Sequence, residues 1–398
     1  MIDGWETKTL GAISEIFRGG SPRPIKSFIT QEADGVNWIK IGDTEVGGKY
    51  IYSTVEKIRK EGMRSSRYVE PGDFLLSNSM SFGRPYILKT DGCIHDGWLV
   101  IKKYERTLIQ DFLYYLLLSP VVARQFEEGA RGSTVRNLNT DIVSNVVVSY
   151  PVSHIEQQRI VDVLDREFAK IDALKANAEK SLQAAKDLFQ ATLKKELEPK
   201  EGWAVAEINS VCLKTYNIKW RDIPEEKEYT YIDLTSVDRS TKSIVEPQLI
   251  KKSNAPSRAQ RLVCEDDIIF ATTRPTLRRY CIIPEQYDEQ ICSTGFCVLR
   301  PDKRKVRPSW LFHCLSTDAF YDYVEPLQTG ATYPAITDKD VKGYIISLPT
   351  ITEQDDIVSR LNDLNDKSNT LQENYQKTLT LCDDLKQSLL RKAFNGEL

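Results

Sequence analysis

Catalysis by this chain would need acids, a base or a nucleophile at a workable spacing. The most suggestive set is Asp302, Asp340 and Lys342, which imitates a nuclease site in which two carboxylates hold Mg²⁺ and a lysine steadies the activated water. Short acidic patterns arise often by chance, and the related segment Thr140-Asp141-Ile142-Val143-Ser144 does not repeat this one. Gly42 to Tyr50 is out of register for a phosphate-binding loop and has Tyr50 where Ser or Thr would meet Mg²⁺, so it reads as a turn. The three histidines, at 95, 154 and 313, sit in no recognisable motif. Eight cysteines without a Cys-x-x-Cys read as reduced thiols, so neither a metal site nor a catalytic centre is expected. A methyltransferase signature of the Asn-Pro-Pro-Tyr or Asp-Pro-Pro-Tyr kind is also missing.

Binding chemistry is better represented. Lys57, Arg64 and Arg67 recur 194 residues later as Lys251, Arg258 and Arg261, and Arg84 and Tyr86 recur as Arg278 and Tyr280. Between these groups lie polar loops that differ, one with Asn78 and Ser79, the other with Thr273 and Arg274. A shared cationic frame with differing loops suits two modules that grip the same phosphate backbone and read different bases. Arg131 and Arg136 flank a glycine-rich loop also suited to phosphate, though Gly330-Ala331-Thr332-Tyr333-Pro334 at the matching place lacks the arginines. The net charge of −3 does not advertise a polyanion binder, so such a site must be a local patch.

The elements that position these residues follow from an internal repeat. Gly4-Trp5 returns as Gly202-Trp203, Gly72-Asp73-Phe74-Leu75-Leu76 as Asp266-Asp267-Ile268-Ile269-Phe270, and Gly97-Trp98-Leu99-Val100 as Gly295-Phe296-Cys297-Val298. Within each copy, short β-rich runs are divided by turn residues and by one helical stretch, near 110–126 and 309–324. Each copy ends in a proline, Pro151 or Pro349, after which glycine disappears as far as Glu201 and Asn395. These spacings predict two helices of about 42 residues, or ~63 Å at 1.5 Å per residue, too long to cover a domain of this size alone. A seam of alternating three- and four-residue steps passes through Leu164, Ile171, Leu174, Ala178 and Leu188 in the first helix. In the second it passes through Leu361, Leu364, Leu371, Tyr375, Leu385 and Leu389. Connectivity then requires antiparallel helices. The expected organisation is α+β: globular units at 1–152 and 201–350 joined by long coiled-coil helices at 153–200 and 351–398, pseudo-twofold symmetric.

That order, with proline then Glu156-Gln157 or Glu353-Gln354 at each helix start, resembles the specificity subunit of Type I restriction-modification systems. The most specific piece is Pro151-Val152-Ser153-His154-Ile155-Glu156-Gln157-Gln158-Arg159-Ile160-Val161, with its second version Pro349-Thr350-Ile351-Thr352-Glu353-Gln354-Asp355-Asp356-Ile357-Val358. The family normally keeps a second Gln where Asp355 stands. The resemblance implies that each globular unit is a target recognition domain for one half of a bipartite double-stranded DNA site. It implies that the helices set the spacing and dock two modification subunits carrying S-adenosylmethionine, then restriction subunits using ATP and Mg²⁺, and that this chain holds no cofactor of its own. The alternatives are the Mg²⁺-dependent nuclease above and a coiled-coil scaffold, which leaves the repeated basic frame unexplained. The longest apolar run, Phe112 to Leu118, is too short to span a membrane, and the N-terminus lacks the build of a signal peptide, so the cytoplasm is the expected location.

Overall fold

The computed structural model describes residues 4–45, 47–78, 82–131 and 137–398. The chain forms two compact units, one from residues 1–179 with 377–398, the other from residues 180–376. Unit 1 begins with β1 (Trp5–Thr9), α1 (Leu10–Ile13), β2 (Glu15–Arg18), β3 (Ile29–Thr30), β4 (Val36–Ile39), β5 (Tyr50–Ile51), β6 (Glu56–Ile58) and β7 (Arg67–Val69). It continues through β8 (Phe74–Ser77), β9 (Pro85–Leu88), β10 (Gly92–Ile94), β11 (Trp98–Lys102), α2 (Gln110–Leu118), α3 (Pro120–Gly129), α4 (Thr140–Ser144) and β12 (Val147–Pro151). The long helix α5 (His154–Leu197) passes from unit 1 into unit 2.

Sheet order in unit 1 is β3-β6-β4-β10-β7 and β2-β11-β8-β9-β5, with β1 and β12 as a separate pair. Alternation along the strands explains how these sheets pack. Leu75, Trp98 and Val100 point into a core shared with Ile39, Val69 and Ile94 of the first sheet. Phe74, Leu76, Leu99 and Ile101 point the other way, into a core with Phe112, Leu113, Val122 and Phe126. A strand buried on both faces must be apolar throughout, which is why β8 and β11 read as unbroken hydrophobic runs.

Unit 2 repeats this plan with β13 (Ala204–Glu207), α6 (Ile208–Val211), β14 (Cys212–Leu213), β15 (Tyr229–Ile232), β16 (Gln248–Ile250), β17 (Ala259–Val263), β18 (Ile268–Ala271), β19 (Tyr280–Ile282), β20 (Gln290–Ser293) and β21 (Phe296–Pro301). It closes with α7 (Pro308–Cys314), α8 (Asp318–Val324), α9 (Asp338–Lys342), β22 (Ile345–Leu348) and the second long helix, α10 (Ile351–Phe394), which passes into unit 1. Its sheets are β16-β15-β20-β17 and β14-β21-β18-β19, and the one parallel pairing of its first sheet, β15 with β20, matches β4 with β10. The single helical stretch expected in each copy is two helices. Ser119 caps α3 with Pro120 in its first turn, and Thr317 caps α8.

Both long helices start on the Glu-Gln pair, and the two residues do different work. Glu353 accepts from the Thr350 amide and hydroxyl while the Glu353 amide donates to Thr350 Oγ1, a capping box. Gln157 and Gln354 are fully buried. Gln157 accepts from the Ile109 amide and donates to the carbonyls of Thr107 and Pro151, each at 2.9 Å. Gln354 makes the same three bonds, accepting from the Arg307 amide and donating to the carbonyls of Lys305 and Pro349. Asp355, where the first copy has Gln158, accepts from Arg307 Nε and Nη2 at 2.7 and 2.8 Å. An arginine at the place of Ile109 thus accompanies the carboxylate.

The helices are antiparallel in both units. In unit 1, Asp172 pairs with Lys386 and Lys175 with Asp383; in unit 2, Arg360 pairs with Glu196 and the Ser368 hydroxyl donates to the Ala185 carbonyl. Leu164, Ile171, Ala178 and Leu361 are buried, and Leu364, Tyr375 and Leu389 partly so. The expected seam needs correction at four positions. Leu174, Leu188, Leu371 and Leu385 are 51, 61, 46 and 48% exposed. The less exposed positions there are Lys175, Phe189, Gln372 and Lys386, one residue further on. Lys386 sets its ammonium 5.1 Å over the Phe168 ring.

The two units differ at a part-buried polar pair between a short helix and a long one. The Tyr115 hydroxyl donates to Asp165 in unit 1; at the matching place in unit 2, His313 Nε2 lies 3.1 Å from Asn362 Oδ1. His313 is almost fully buried and burial pushes its pKa down, so the unfolded chain takes up a proton that the folded unit resists. Unit 2 is therefore expected to hold its full stability above pH ~6.5 and to lose up to about 1.4 kcal/mol per pH unit below it. Thermal melts of His313→Phe between pH 5 and 7.5 check this, since the substitution should flatten that acid limb; an unchanged slope would contradict it.

Candidate nucleic-acid interface

The repeated basic residues fall into three structural situations. Arg64, Arg131, Arg258 and Arg274 are exposed. Lys57 and Lys251 are half-buried, Lys57 donating to the Ala33 carbonyl at 3.3 Å and Lys251 lying 3.5 Å from Glu228. Arg261 and Arg278 are engaged by carboxylates, Asp338 and Asp318, and Arg278 also lies 4.1 Å above the Tyr321 ring. Arg84 lies over the Tyr86 ring with its Nε buried.

Three expected contact residues belong to the interior instead. Tyr86 packs edge-on against Trp98, 5.7 Å between ring centres, because β9 is covered on both faces. Tyr280 is buried and its hydroxyl donates to Ser316 Oγ at 2.9 Å. Asn78 is buried with its amide on the Asp96 carbonyl at 2.8 Å, and its backbone joins Gly97 and Leu138. Thr273 is half-buried in a bridge to Ala335. Ser79 and Arg136 lie outside the described residues.

The loop after β18 is held rigidly. Arg274 and Arg278 both adopt left-handed backbone, φ 49° and 54°, around a short turn anchored by buried Pro275. Non-glycine residues in this region carry a conformational cost that surrounding structure must impose. The Arg274 guanidinium lies 4.8 Å over the exposed Tyr333 ring and donates to the Thr332 carbonyl. Lys242, absent from the sequence reading, donates to the Arg278 carbonyl and sits 4.4 Å over the Tyr280 ring. Burial lowers its ammonium to about 8.

Unit 1 assembles a second group that sequence reasoning missed. Arg18, Ser21, Arg23 and Asn78 converge on Asp96, and Arg67 braces them by donating to the Arg18 carbonyl at 3.0 Å. The signal was present in Arg18-Gly19-Gly20-Ser21-Pro22-Arg23, two glycines between cations, but its partner Asp96 lies more than 70 residues away.

The acids of the nuclease alternative are used elsewhere. Asp302 accepts from Arg304 Nε and Nη2 at 2.9 Å, and Asp340 closes a capping box with Thr337 at the start of α9. Among the described residues, no three His, Cys, Asp or Glu side chains gather as a metal site.

An exposed cation with no partner among the described residues and a committed one should behave differently in DNA binding. Arg64→Ala is expected to lower the slope of log affinity against log salt by about one, with folding intact. Arg261→Ala should instead destabilise unit 2 by stranding Asp338. Salt titrations with parallel melts separate the two; an unchanged slope for Arg64→Ala would remove this face from DNA contact.

The profile of the family described as "Type I restriction modification DNA specificity domain" matches residues 2–184 and again 193–381. The chain is 26% identical over 335 residues to the Type I restriction enzyme EcoDI specificity subunit of Escherichia coli, covering 74% of this chain and 73% of that protein. It is 21% identical to the EcoKI specificity subunit of Escherichia coli K12 over all of this chain and 89% of that one. Among solved structures, a chain from a study of complex assembly and conformational transition of the type I R-M system superposes with a TM-score of 0.79 at 19% identity, over 100% of this chain and 99% of that one. The HsdS subunit from Thermoanaerobacter tengcongensis gives 0.58 at 19% identity, over 100% and 98%.

Proposed function

We propose, from the premise that the chain belongs to the Type I restriction-modification DNA specificity family, that each unit reads one half of a bipartite target in double-stranded DNA. The role in DNA sequence specificity follows from the family; the assignment of one half-site to each unit is the finer reading. The observation that carries it is the repeat itself: two family domains whose sheets share one strand order, with β3 and β5 of unit 1 unmatched in unit 2, alike in frame and different in loops. In this reading residues 1–152 and 201–350 are the target recognition domains, and the two long helices set the number of unread base pairs between half-sites.

The exposed leucines support a docking role for those helices. Leu174 and Leu385 flank the ion pairs of unit 1, and their repeat equivalents, Leu371 and Leu188, are exposed in unit 2. Apolar residues left open at matched places in both units suit two copies of one helical partner. The partner class is the modification subunit, bringing S-adenosylmethionine, with restriction subunits supplying ATP and Mg²⁺ chemistry. No described helix is long and apolar enough to cross a membrane, and the cytoplasm, where host DNA is accessible, is the proposed location.

Purified alone, the chain is expected neither to methylate plasmid DNA when given S-adenosylmethionine nor to cut it when given Mg²⁺. Methyl transfer should appear once modification subunits are added. Labelling of DNA by the chain alone would overturn the assignment of a non-catalytic role.

A further inference from the structure

The segment after β2 is pinned by two glycines that admit no side chain. The Gly19 amide donates to the Trp98 carbonyl at 2.9 Å and that of Gly20 to the Ile94 carbonyl at 3.2 Å. A Cβ on Gly19 would stand 2.1 Å from the His95 carbonyl oxygen, and one on Gly20 2.7 Å from that of Ser65. The backbone is thus clamped between two loops, and the residues on either side, Arg18 and Ser21, are fixed in place. Asp96 gathers them. Ser21 Oγ donates to its Oδ1 at 2.7 Å, Arg18 Nε to its carbonyl at 3.2 Å, and the Arg23 guanidinium stands 3.8 Å from its Oδ2. Arg67, itself stacked 4.6 Å over Phe17, holds the Arg18 carbonyl.

This leaves two complementary groups at one place. Arg18 is exposed, and having committed Nε it retains the two terminal nitrogens, which have no hydrogen-bond partner among the described residues. Two parallel N–H groups match O6 and N7 of guanine in the major groove, and a carboxylate accepts from N4 of cytosine. The Asp96 side chain is 45% exposed. We infer that Arg18 and Asp96 read a guanine–cytosine pair in the half-site of unit 1, with Ser21 and Arg67 as positioning residues. The inference rests on the specificity role above and narrows it to one position in one half-site.

The repeat makes the inference one-sided. Strand pairing sets Arg18 opposite Leu99 and Leu213 opposite Arg300, so with Leu99 matching Cys297 the counterpart of Arg18 is Tyr216. The counterpart of Asp96, just before Gly295, is Thr294. Unit 2 therefore has neither the cation nor the carboxylate here, and its half-site must be read by other means.

The test is a genome-wide methylation map from cells carrying the intact gene, Arg18→Ala, Arg18→Lys or Asp96→Asn. Preference at one guanine–cytosine position of one half-site should fall by about five- to a hundred-fold in each variant, while the other half-site stays fully read. Arg18→Lys, which keeps the charge and loses the fork, should relax the same position. An unchanged motif in all variants overturns the inference, as does a uniform loss of methylation with no change of motif, which would make these residues phosphate contacts or parts of the fold. If the intact gene yields no bipartite motif, the specificity reading itself fails. If it does and the variants read the same motif, only the Arg18–Asp96 inference fails.

Discussion

Removal of residues 390–398 is expected to unfold unit 1 and leave unit 2 folded, although the deletion lies more than 200 residues from the strands it disrupts. Leu390, Ala393 and Phe394 are buried in the core of unit 1 beside Ile160, Val161 and Leu164 of the other long helix. The Phe394 ring meets Phe112 edge to face at 5.3 Å. Truncating one buried aromatic or leucine costs about 2–5 kcal/mol, and a domain of this size holds about 5–15 kcal/mol in total. Losing Leu390 and Phe394 together with the last helical turn exhausts that margin. Phe394→Ala alone should remove about 3–5 kcal/mol from unit 1. Hydrogen exchange resolved along the chain measures each unit separately. Protection retained across β8 and β11 after truncation would show that the helix end is not part of this core.

Replacing Gln157 or Gln354 by leucine should cost about 3–9 kcal/mol, each in its own unit, on the ground that three buried or part-buried backbone groups lose their partners at about 1–3 kcal/mol apiece. Leucine preserves apolar volume, so the loss isolates the hydrogen bonds from packing. Glutamate should do no better, since its carboxylate would face the two carbonyls to which the amide now donates. Urea denaturation followed by a probe in each unit gives the number. A loss below 1 kcal/mol would mean that water replaces the side chain and that the paired glutamines are incidental.

Those glutamines show where sequence reading succeeds and where it stops. The long helices were legible because glycine and proline vanish over two long stretches, and the repeat because apolar strand pairs such as Trp98-Leu99 and Phe296-Cys297 return in register. Glu156-Gln157 and Glu353-Gln354 read as helix starts, and Glu353 does close a capping box there, while the Glu156 carboxylate pairs with Arg159. The glutamine binds backbone from a loop almost 50 residues earlier, and no local rule announces it. The seam phase slipped because a strict three-four alternation favours Leu174 and Leu371 on hydrophobicity, whereas the less exposed places fall on Lys175 and Gln372. Tyr86, Tyr280 and Asn78 looked like surface contacts because they sit next to basic and polar residues; strand packing buries the two tyrosines, and the Asp96 and Gly97 carbonyls hold Asn78 just beyond the end of β8. The Arg18–Asp96 group combines four separate segments, so nearness in sequence gave no hint of it.

The most direct measurement of the central claim is a map of methylated bases across the host genome with this gene present and with it deleted. The specificity role predicts one bipartite motif, two read half-sites separated by a fixed unread gap, that is present with the gene and lost without it. Exchanging loop residues of one unit, Arg274 with Tyr333, should then alter the half-site of unit 2 and no other. A methylation pattern indifferent to the gene, or a continuous motif without a gap, would contradict the claim that this chain's two units each read one half of the target.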